Sequence, residues 1–510
     1  MRLPLRALLP VLALLTAACA QLPARPALPV ESAIPASTGG RLDQLVAPEE
    51  AAHPGASGFR LVSDGVESFA LRAYTARLAV RSLDVQTYIW HQDTTGLFLA
   101  HALLAAADRG VHVRLLLDDI DARAEGYFLA ALGAHPNIEV RLYNPLASRS
   151  GTVSMSLDFL RAFGRLNHRM HNKSWIADNR IAVVGGRNLG DEYFGASEEV
   201  NFVDLDFAMV GPVVRDASAS FDKYWNSRAA YPISLLSPEG VTEEALGRLR
   251  ERLNDSDGEV RASPYAELLS RDDSVQRLAS GDWPMYWSGN FSFISDDPLK
   301  ALREPGQESD VLGTLVPVLG DTEQALTIIS PYFVPGKQGT HSLVELAKSG
   351  TQVKILTNSL AANDVAAVHG GYSQYRKDLL KGGVSLWELK PLPGSGNHGS
   401  FFGSSGASLH TKALAVDARA LFVGSYNLDP RSTSLNCEQG VLVYDESLTQ
   451  QFLRIFDQQS AGARAWKVTF EQGGLRWSDG SETFDSEPQA SAGRRFQAWL
   501  ARVFPIESQL

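Results

Sequence analysis

Two short segments hold the residues able to do chemistry. RMHNKSWIADNRIAVVGGRN contains His171, Lys173, Asp178, Gly185 and Asn188, and SLHTKALAVDARALFVGSYNLDPRS contains His410, Lys412, Asp417, Gly424 and Asn427. The five types recur in the same order at the same spacing, so the chain carries an internal duplication. On an extended backbone, residues two apart project from one face, and each histidine and lysine can therefore touch one ligand. An imidazole can attack or move a proton near neutral pH, and an ammonium beside it supplies fixed positive charge. That set suits a phosphodiester. One histidine attacks phosphorus and the other protonates the departing alkoxide, while Lys173, Lys412, Asn188 and Asn427 hold the non-bridging oxygens.

A lone histidine is more often a core residue, and a lone strand lysine usually reaches solvent. Burying two of each with no function costs desolvation and brings no return. Metal binding fits worse: ammonium is a poor ligand, and no second histidine or carboxylate stands at ligand spacing in both copies. His168, three residues before His171, has no counterpart before His410. The reading therefore includes no metal and no cofactor.

The elements around these residues repeat as well. LDVQTYIW, VHVRLLLDD and IEVRLYNP (83–90, 111–119, 138–145) parallel LTIISPYF, TQVKILTNS and VSLWELKP (326–333, 351–359, 384–391). Helical patterns ending at Gly110 and Gly350 separate the first two of each set. Strand, helix, strand in order predicts an α/β layer with a largely parallel sheet in each half. Each motif itself reads as two strands joined by a turn, at Asp178-Asn179-Arg180 in the first copy. The predicted halves span 49–235 and 311–465, with a connector at 236–310 and an extension at 466–510. VTEEALGRLRERLNDSD in the connector reads as a helix with a solvated charged face.

At 510 residues with 44% hydrophobic and 21% charged content, the chain can bury more than one core. A net charge of −11 disfavours a life on polyanionic backbones, and no nucleic-acid partner is expected. Two cysteines, Cys19 and Cys437, exclude a disulfide framework. MRLPLRALLPVLALLTAAC has the shape of a secretory signal, too short to span a bilayer comfortably. Its LTAAC end resembles a bacterial lipoprotein signal, in which cleavage after residue 18 leaves a lipidated Cys19; an uncleaved anchor and a plain secreted signal are the alternatives. Residues 19–48, rich in proline, alanine and serine, read as a flexible tether.

Both motifs match the HxKxxxxDxxxxxxG(G/S)xN signature of the phospholipase D superfamily. Together with LDVQTYIW, LLLDD, GGRNLGDEYFGA, SPYFVP and LTNSLAANDVAAVHGGY, the chain resembles bacterial cardiolipin synthases of the C-type from about residue 65 to residue 500. The resemblance implies two αβα-sandwich halves related by a pseudo-twofold, with the active site at their interface and no metal. It implies His171 as nucleophile and His410 as general acid, then base. Asp178 and Asp417 belong to the signature and are counted with the catalytic set, although the family uses this aspartate largely for structure. A separate acid orients each histidine: Asp204 in NFVDLDF and Glu438 in NCEQGVLV, fixing the tautomer and favouring the charged imidazole, with surface charge as the plain alternative. The family commonly carries Trp-Arg before the first acid, where this chain has Phe202-Val203.

Asp118, Asp119 and Asn358 end strands, and either line the site or cap the following element. Gln86, Tyr88 and Trp90 alternate on one strand, as core or as lipid contacts. In SAGRRFQAWLARVF, Phe496, Trp499, Leu500, Val503 and Phe504 share a helical face, with Arg494, Arg495 and Arg502 outside it; the helix either lies on a membrane or docks on the body. The expected activity is phosphatidyl transfer making cardiolipin from phosphatidylglycerol, alone or with another phospholipid, through a phosphohistidine. The runner-up is a phospholipase D releasing phosphatidic acid. The expected place is the bacterial envelope, facing the periplasm. Ala20 after Cys19 points to the outer membrane, whereas cardiolipin synthesis is usually associated with the inner one.

Overall fold

The computed structural model describes residues 22–36, 38–122, 125–146, 167–261, 263–302, 309–363, 365–391 and 409–503. Cys19, the signal segment and Phe504 lie outside them.

The duplication is written into two sheets. The first runs β8-β4-β3-β2-β5-β6-β7-β1-β9, built from β1 (Ser57–Val62), β2 (Ser82–Thr87), β3 (His112–Asp118), β4 (Ile138–Tyr143), β5 (Ser174–Ala177), β6 (Ile181–Gly185), β7 (Asp206–Val210), β8 (Ala230–Pro232) and β9 (Tyr286–Ser288). The second holds β10 (Phe291–Ser295), β11 (Ala325–Ile329), β12 (Gln352–Asn358), β13 (Ser385–Leu389), β14 (Ala413–Val416), β15 (Ala420–Gly424), β16 (Gln439–Tyr444), β17 (Ala465–Glu471), β18 (Gly474–Ser478) and β19 (Thr483–Phe484). Its order, β10-β16-β15-β14-β11-β12-β13-β17-β18-β19, matches the first sheet strand for strand from β1 to β8.

Only β2, β3 and β4, and likewise β11, β12 and β13, pair in parallel; every other ladder is antiparallel. The expectation of a largely parallel sheet is corrected here. The strand–helix–strand rhythm ends at the third strand, and each motif then contributes a hairpin, β5–β6 or β14–β15, which can only pair antiparallel.

One buried apolar cluster joins the halves. It takes Leu116, Met170, Ile176 and Phe207 from the first and Leu356, Leu409, Val423 and Val441 from the second, with Phe221 and Phe452 from helices Pro212–Trp225 and Glu446–Ser460. Separate clusters fill the outer side of each sheet. The interface is thus a core, not a crevice.

The segment read as connector belongs to both sheets. Tyr286–Ser288 pairs with β1, and Phe291–Ser295 pairs with β16. The helix Glu243–Arg261 is not wholly solvated, since Ala245, Leu246, Leu249 and Leu253 are buried. The expected tether is also corrected. Arg25 Nε donates to the Ala230 carbonyl at 2.7 Å, Ala33 N–H donates to Asp222 at 2.7 Å, and Glu31 pairs with Arg141. Helix Arg41–Ala52 buries Leu42 and Val46. Charged anchors at Arg25 and Glu31 hold a segment whose overall composition reads as loose.

In the extension, β17, β18 and β19 widen the second sheet, and helix Ala492–Val503 packs on helix Ala366–Ser373. It docks through Ala498 and Ala501, and a Cβ at Gly370 would lie 2.4 Å from the Ala498 carbonyl oxygen. Arg494 donates to the carbonyls of Leu360 and Asn363. Phe496 and Trp499 face outward, 58% and 52% exposed, with their rings stacked at 5.9 Å. The helix therefore docks and also leaves an aromatic pair uncovered. Among the described residues, no helix is long and apolar enough to cross a membrane.

Candidate active site

Each histidine stands on the extended segment leading into its hairpin, and the loop after the preceding parallel pair fixes that segment. Asp118, at the end of β3, accepts from Met170 N–H at 2.8 Å and from Arg169 at 3.3 Å. At the matching place, Asn358 donates to the Leu409 carbonyl at 3.0 Å and accepts from Leu409 N–H at 3.2 Å. Both strand-end residues thus hold the residue just before a histidine. Asp119 accepts from Leu146 N–H instead, at 2.7 Å.

The second anchor comes from the opposite half. His171 N–H donates to the Cys437 carbonyl at 2.8 Å, and His410 N–H donates to the Val203 carbonyl at 2.8 Å. That pairing brings Glu438 to His171 and Asp204 to His410. His171 Nδ1 lies 3.0 Å from Glu438 Oε2 and 3.1 Å from the Ser425 carbonyl. His410 Nδ1 lies 2.6 Å from Asp204 Oδ2. Both neighbours of His171 Nδ1 are acceptors, so Nδ1 carries the hydrogen and Nε2 keeps its lone pair. All four side chains are buried.

Lys173 and Lys412 are buried beside them, each donating to the carbonyl of its own histidine, at 2.6 and 2.5 Å. Asn427 is buried, and its Oδ1 finds no partner among the described residues. Asn188 differs from it: its amide donates to Tyr193 Oη at 2.8 Å and accepts from Ile89 N–H at 3.3 Å. Asp178 and Asp417 stand apart from this pocket. Asp178 accepts from the N–H groups of Val80, Arg81 and Ser82 at 2.8–3.1 Å, and Asp417 from those of Glu323, Gln324 and Ala325 at 2.7–3.0 Å. They clamp each hairpin turn to the start of β2 or β11. Counting them with the catalytic set is corrected on that ground.

Burial decides the charge state. It pushes the His171 imidazole down to about 4, against the pull of Glu438 and with the help of Lys173 and Lys412. It drives His410 well below its ordinary value too, again helped by both lysines, and the Lys173 ammonium likewise. At His171 the acid does favour the charged imidazole, as expected, but desolvation and two nearby cations outweigh it. Burial raises Asp204 to about 6. Glu438 is held below its ordinary value in spite of burial, by His171, Lys173 and hydroxyl donation. Ser425 Oγ donates to it at 2.5 Å and Ser432 Oγ at 2.9 Å. A negative charge placed between these groups would oppose the effect of the two lysines.

The model of the family described as "Cardiolipin synthase, PLD-like domain" matches residues 75–225 and 315–460, one match in each half. Those two stretches cover more than half of the chain and contain every histidine, lysine and acid of the pocket. The chain belongs to the cardiolipin synthase family of phospholipase D-like enzymes. Among relatives, it is 39% identical to cardiolipin synthase C of Escherichia coli over 92% of this chain and 99% of that protein. It is 27% identical to cardiolipin synthase B of Shigella flexneri, over 72% of this chain and 71% of that one. The fold is that of a phosphatidylserine synthase from Haemophilus influenzae, with a TM-score of 0.54 at 15% identity over 91% of this chain and 99% of that one.

For this family member, the two motifs mark the histidines and lysines but not the residues that tune them. Ser425 was visible as the variable position of the second motif. Ser432, which lies in the short helix Pro430–Ser434, carried no signal. Tyr88 meets the His171 ring edge-on at 5.2 Å, whereas Trp90 is buried in the core and donates to the Gly96 carbonyl. None of the three places where His, Asp and Glu side chains converge among the described residues includes either histidine.

Proposed function

We infer that this protein makes cardiolipin by double displacement at phosphorus. What carries the reading is one buried pocket with two imidazoles, each oriented by the acid of the opposite half, in a chain related to cardiolipin synthase C over nearly its whole length. His171 Nε2 attacks the phosphorus of phosphatidylglycerol, the bond from phosphorus to the headgroup glycerol breaks, and His410 Nε2 gives that glycerol its proton. The phosphatidyl group is then held on His171 Nε2. A hydroxyl of a second phospholipid's headgroup loses its proton to His410 and attacks phosphorus. The P–N bond breaks, and the product carries two phosphatidyl groups. Lys173, Lys412 and Asn427 hold the non-bridging oxygens as charge builds on them.

The negative phosphodiester also offsets the two lysine charges that hold the imidazoles down. It favours protonated His410 at the first step while His171, donating through Nδ1 to Glu438, stays a neutral nucleophile. We place the enzyme in the bacterial envelope facing the periplasm, held by acylated Cys19 and by the Phe496–Trp499 pair against the bilayer. The outer membrane is suggested by Ala20, with the inner membrane as the alternative.

The test is product analysis on vesicles of phosphatidylglycerol, with and without phosphatidylethanolamine. Wild type yields a diphosphatidyl product, and His171→Ala and His410→Ala yield none. Phosphatidic acid as the only product, or full activity in both variants, contradicts the reading.

A further inference from the structure

The two histidines have unlike neighbours in an otherwise pseudo-symmetric pocket. Two residues before Asp204 stands Phe202, and two residues before Glu438 stands Asn436. Phe202 lies 5.4 Å from the His410 ring, and Tyr193 meets the same ring edge-on at 5.3 Å. The two aromatics also touch each other, 5.0 Å between centroids. Tyr193 is buried, and its hydroxyl takes the Asn188 amide, so what it offers to His410 is ring carbon. Phe202 is half-buried, and its N–H is pinned to the Glu192 carbonyl at 2.7 Å. On the other side, Asn436 is buried with its Oδ1 unpartnered among the described residues, and Ser432, at Tyr193's place in the repeat, is a small hydroxyl bound to Glu438. Both histidines meet one tyrosine ring, Tyr88 at His171 and Tyr193 at His410, but only His410 has a second aromatic, Phe202, against it.

His410 is the group that meets the incoming nucleophile in the second step. We propose that Phe202, backed by Tyr193, is a specificity-determining residue that disfavours water at His410 and admits the headgroup alcohol of a lipid, setting the ratio of transfer to hydrolysis. This rests on the two-step reading above. The competing steps balance alike. In both, an O–H proton passes to His410 Nε2, a P–O bond forms and the His171 P–N bond breaks; the products are a diphosphatidyl lipid with an alcohol and phosphatidic acid with water. The phosphatidyl group is common to both, so the partition is decided only by what occupies the space beside His410. Two aromatic rings there give a water molecule few hydrogen-bond partners, while the carbon skeleton of a headgroup gains contact with them.

The test compares wild type with Phe202→Asn, which copies the opposite side, and Phe202→Leu, which keeps the wall apolar. Phosphatidylglycerol vesicles are the substrate, and the reading is the molar ratio of phosphatidic acid to diphosphatidyl product. A ratio within one sample does not depend on how much of the variant is folded. Phe202→Asn is expected to raise it about tenfold, and Phe202→Leu to leave it within about twofold of wild type. If Phe202→Asn is too unstable to purify, Phe202→Ala is expected to shift the ratio in the same direction. A wild-type ratio in Phe202→Asn or Phe202→Ala, beside a wild type that makes the diphosphatidyl lipid, overturns the inference and leaves the activity standing. A wild type that makes only phosphatidic acid overturns the activity, and the inference with it.

Discussion

His171 and Glu438 are 267 residues apart in sequence and 3.0 Å apart in the fold. The reciprocal pair, His410 and Asp204, closes at 2.6 Å in the opposite direction. Neither half therefore contains a complete histidine–acid pair. Each supplies an imidazole and lends its carboxylate to the other. The exchange makes the pocket a property of the docked pair of halves, which the shared apolar cluster holds together.

Removing either carboxylate leaves an imidazole free to turn and to take the wrong tautomer. Glu438→Gln and Asp204→Asn are expected to lower phosphatidyl transfer by about 10²–10⁴-fold, the usual scale for a disarmed acid–base group, with circular dichroism unchanged. Glu438→Gln strikes the nucleophile and is expected to slow formation of the phosphatidyl-enzyme in rapid-quench experiments. Wild-type rates in both variants would show that the acids are structural only.

Burial and the neighbouring lysines keep both imidazoles below their ordinary values. A bound phosphate-like anion reverses part of that shift. The sign follows directly: near pH 6.5, the free protein has neutral imidazoles and the bound form holds an extra proton on His410. Binding of orthovanadate or tungstate should therefore take up protons, and the calorimetric enthalpy should change between buffers of different ionisation enthalpy with the sign of proton uptake. Release of protons would contradict the charge assignment.

Asp178, Asn179, Asp417 and Ala418 adopt left-handed backbone at the two hairpin turns, with φ between 50° and 52°. Aspartate and asparagine tolerate that region, and alanine does not. The repeat carries out its own control: Asn179 occupies in the first turn the place Ala418 occupies in the second. Ala418→Asn should stabilise the protein by about 0.5–1 kcal/mol with unchanged activity, read as a higher urea midpoint. A lower midpoint would show that the turn is held by Asp417 alone.

Much of this was readable from the chain because the signals were local and doubled. Spacing of two put His171 beside Lys173, the turn residues set the hairpins, and the repeat fixed which residues correspond. Partner choice between the acids was not readable, since Asp204 and Glu438 occupy equivalent places and only the docking of the halves pairs each with the other's histidine. The balance at the imidazoles was not readable for a related reason: burial by the opposite half, which outweighs the pull of Glu438, leaves no trace in the motif itself. The aromatics at 286–293 fell within the segment read as connector, because their division between two sheets depends on where the sheet edges meet.

Membrane attachment is expected to have two parts. Cys19→Ser should abolish incorporation of labelled palmitate in cells. In the protein lacking residues 1–19, Phe496→Ser with Trp499→Ser should weaken binding to anionic vesicles by about ten- to a hundredfold, because the helix docks through Ala498 and Ala501 and the aromatic pair is its uncovered face. Equal vesicle binding by the double variant and its parent would assign the helix to packing alone.

Covalent transfer through His171 is open to direct detection. Protein quenched in alkaline detergent during turnover of phosphatidylglycerol, then digested and analysed by mass spectrometry, should carry a phosphatidyl adduct on the peptide containing His171 and none in His171→Ala. An active enzyme with no adduct, or with the adduct on the peptide containing His410, would contradict the account.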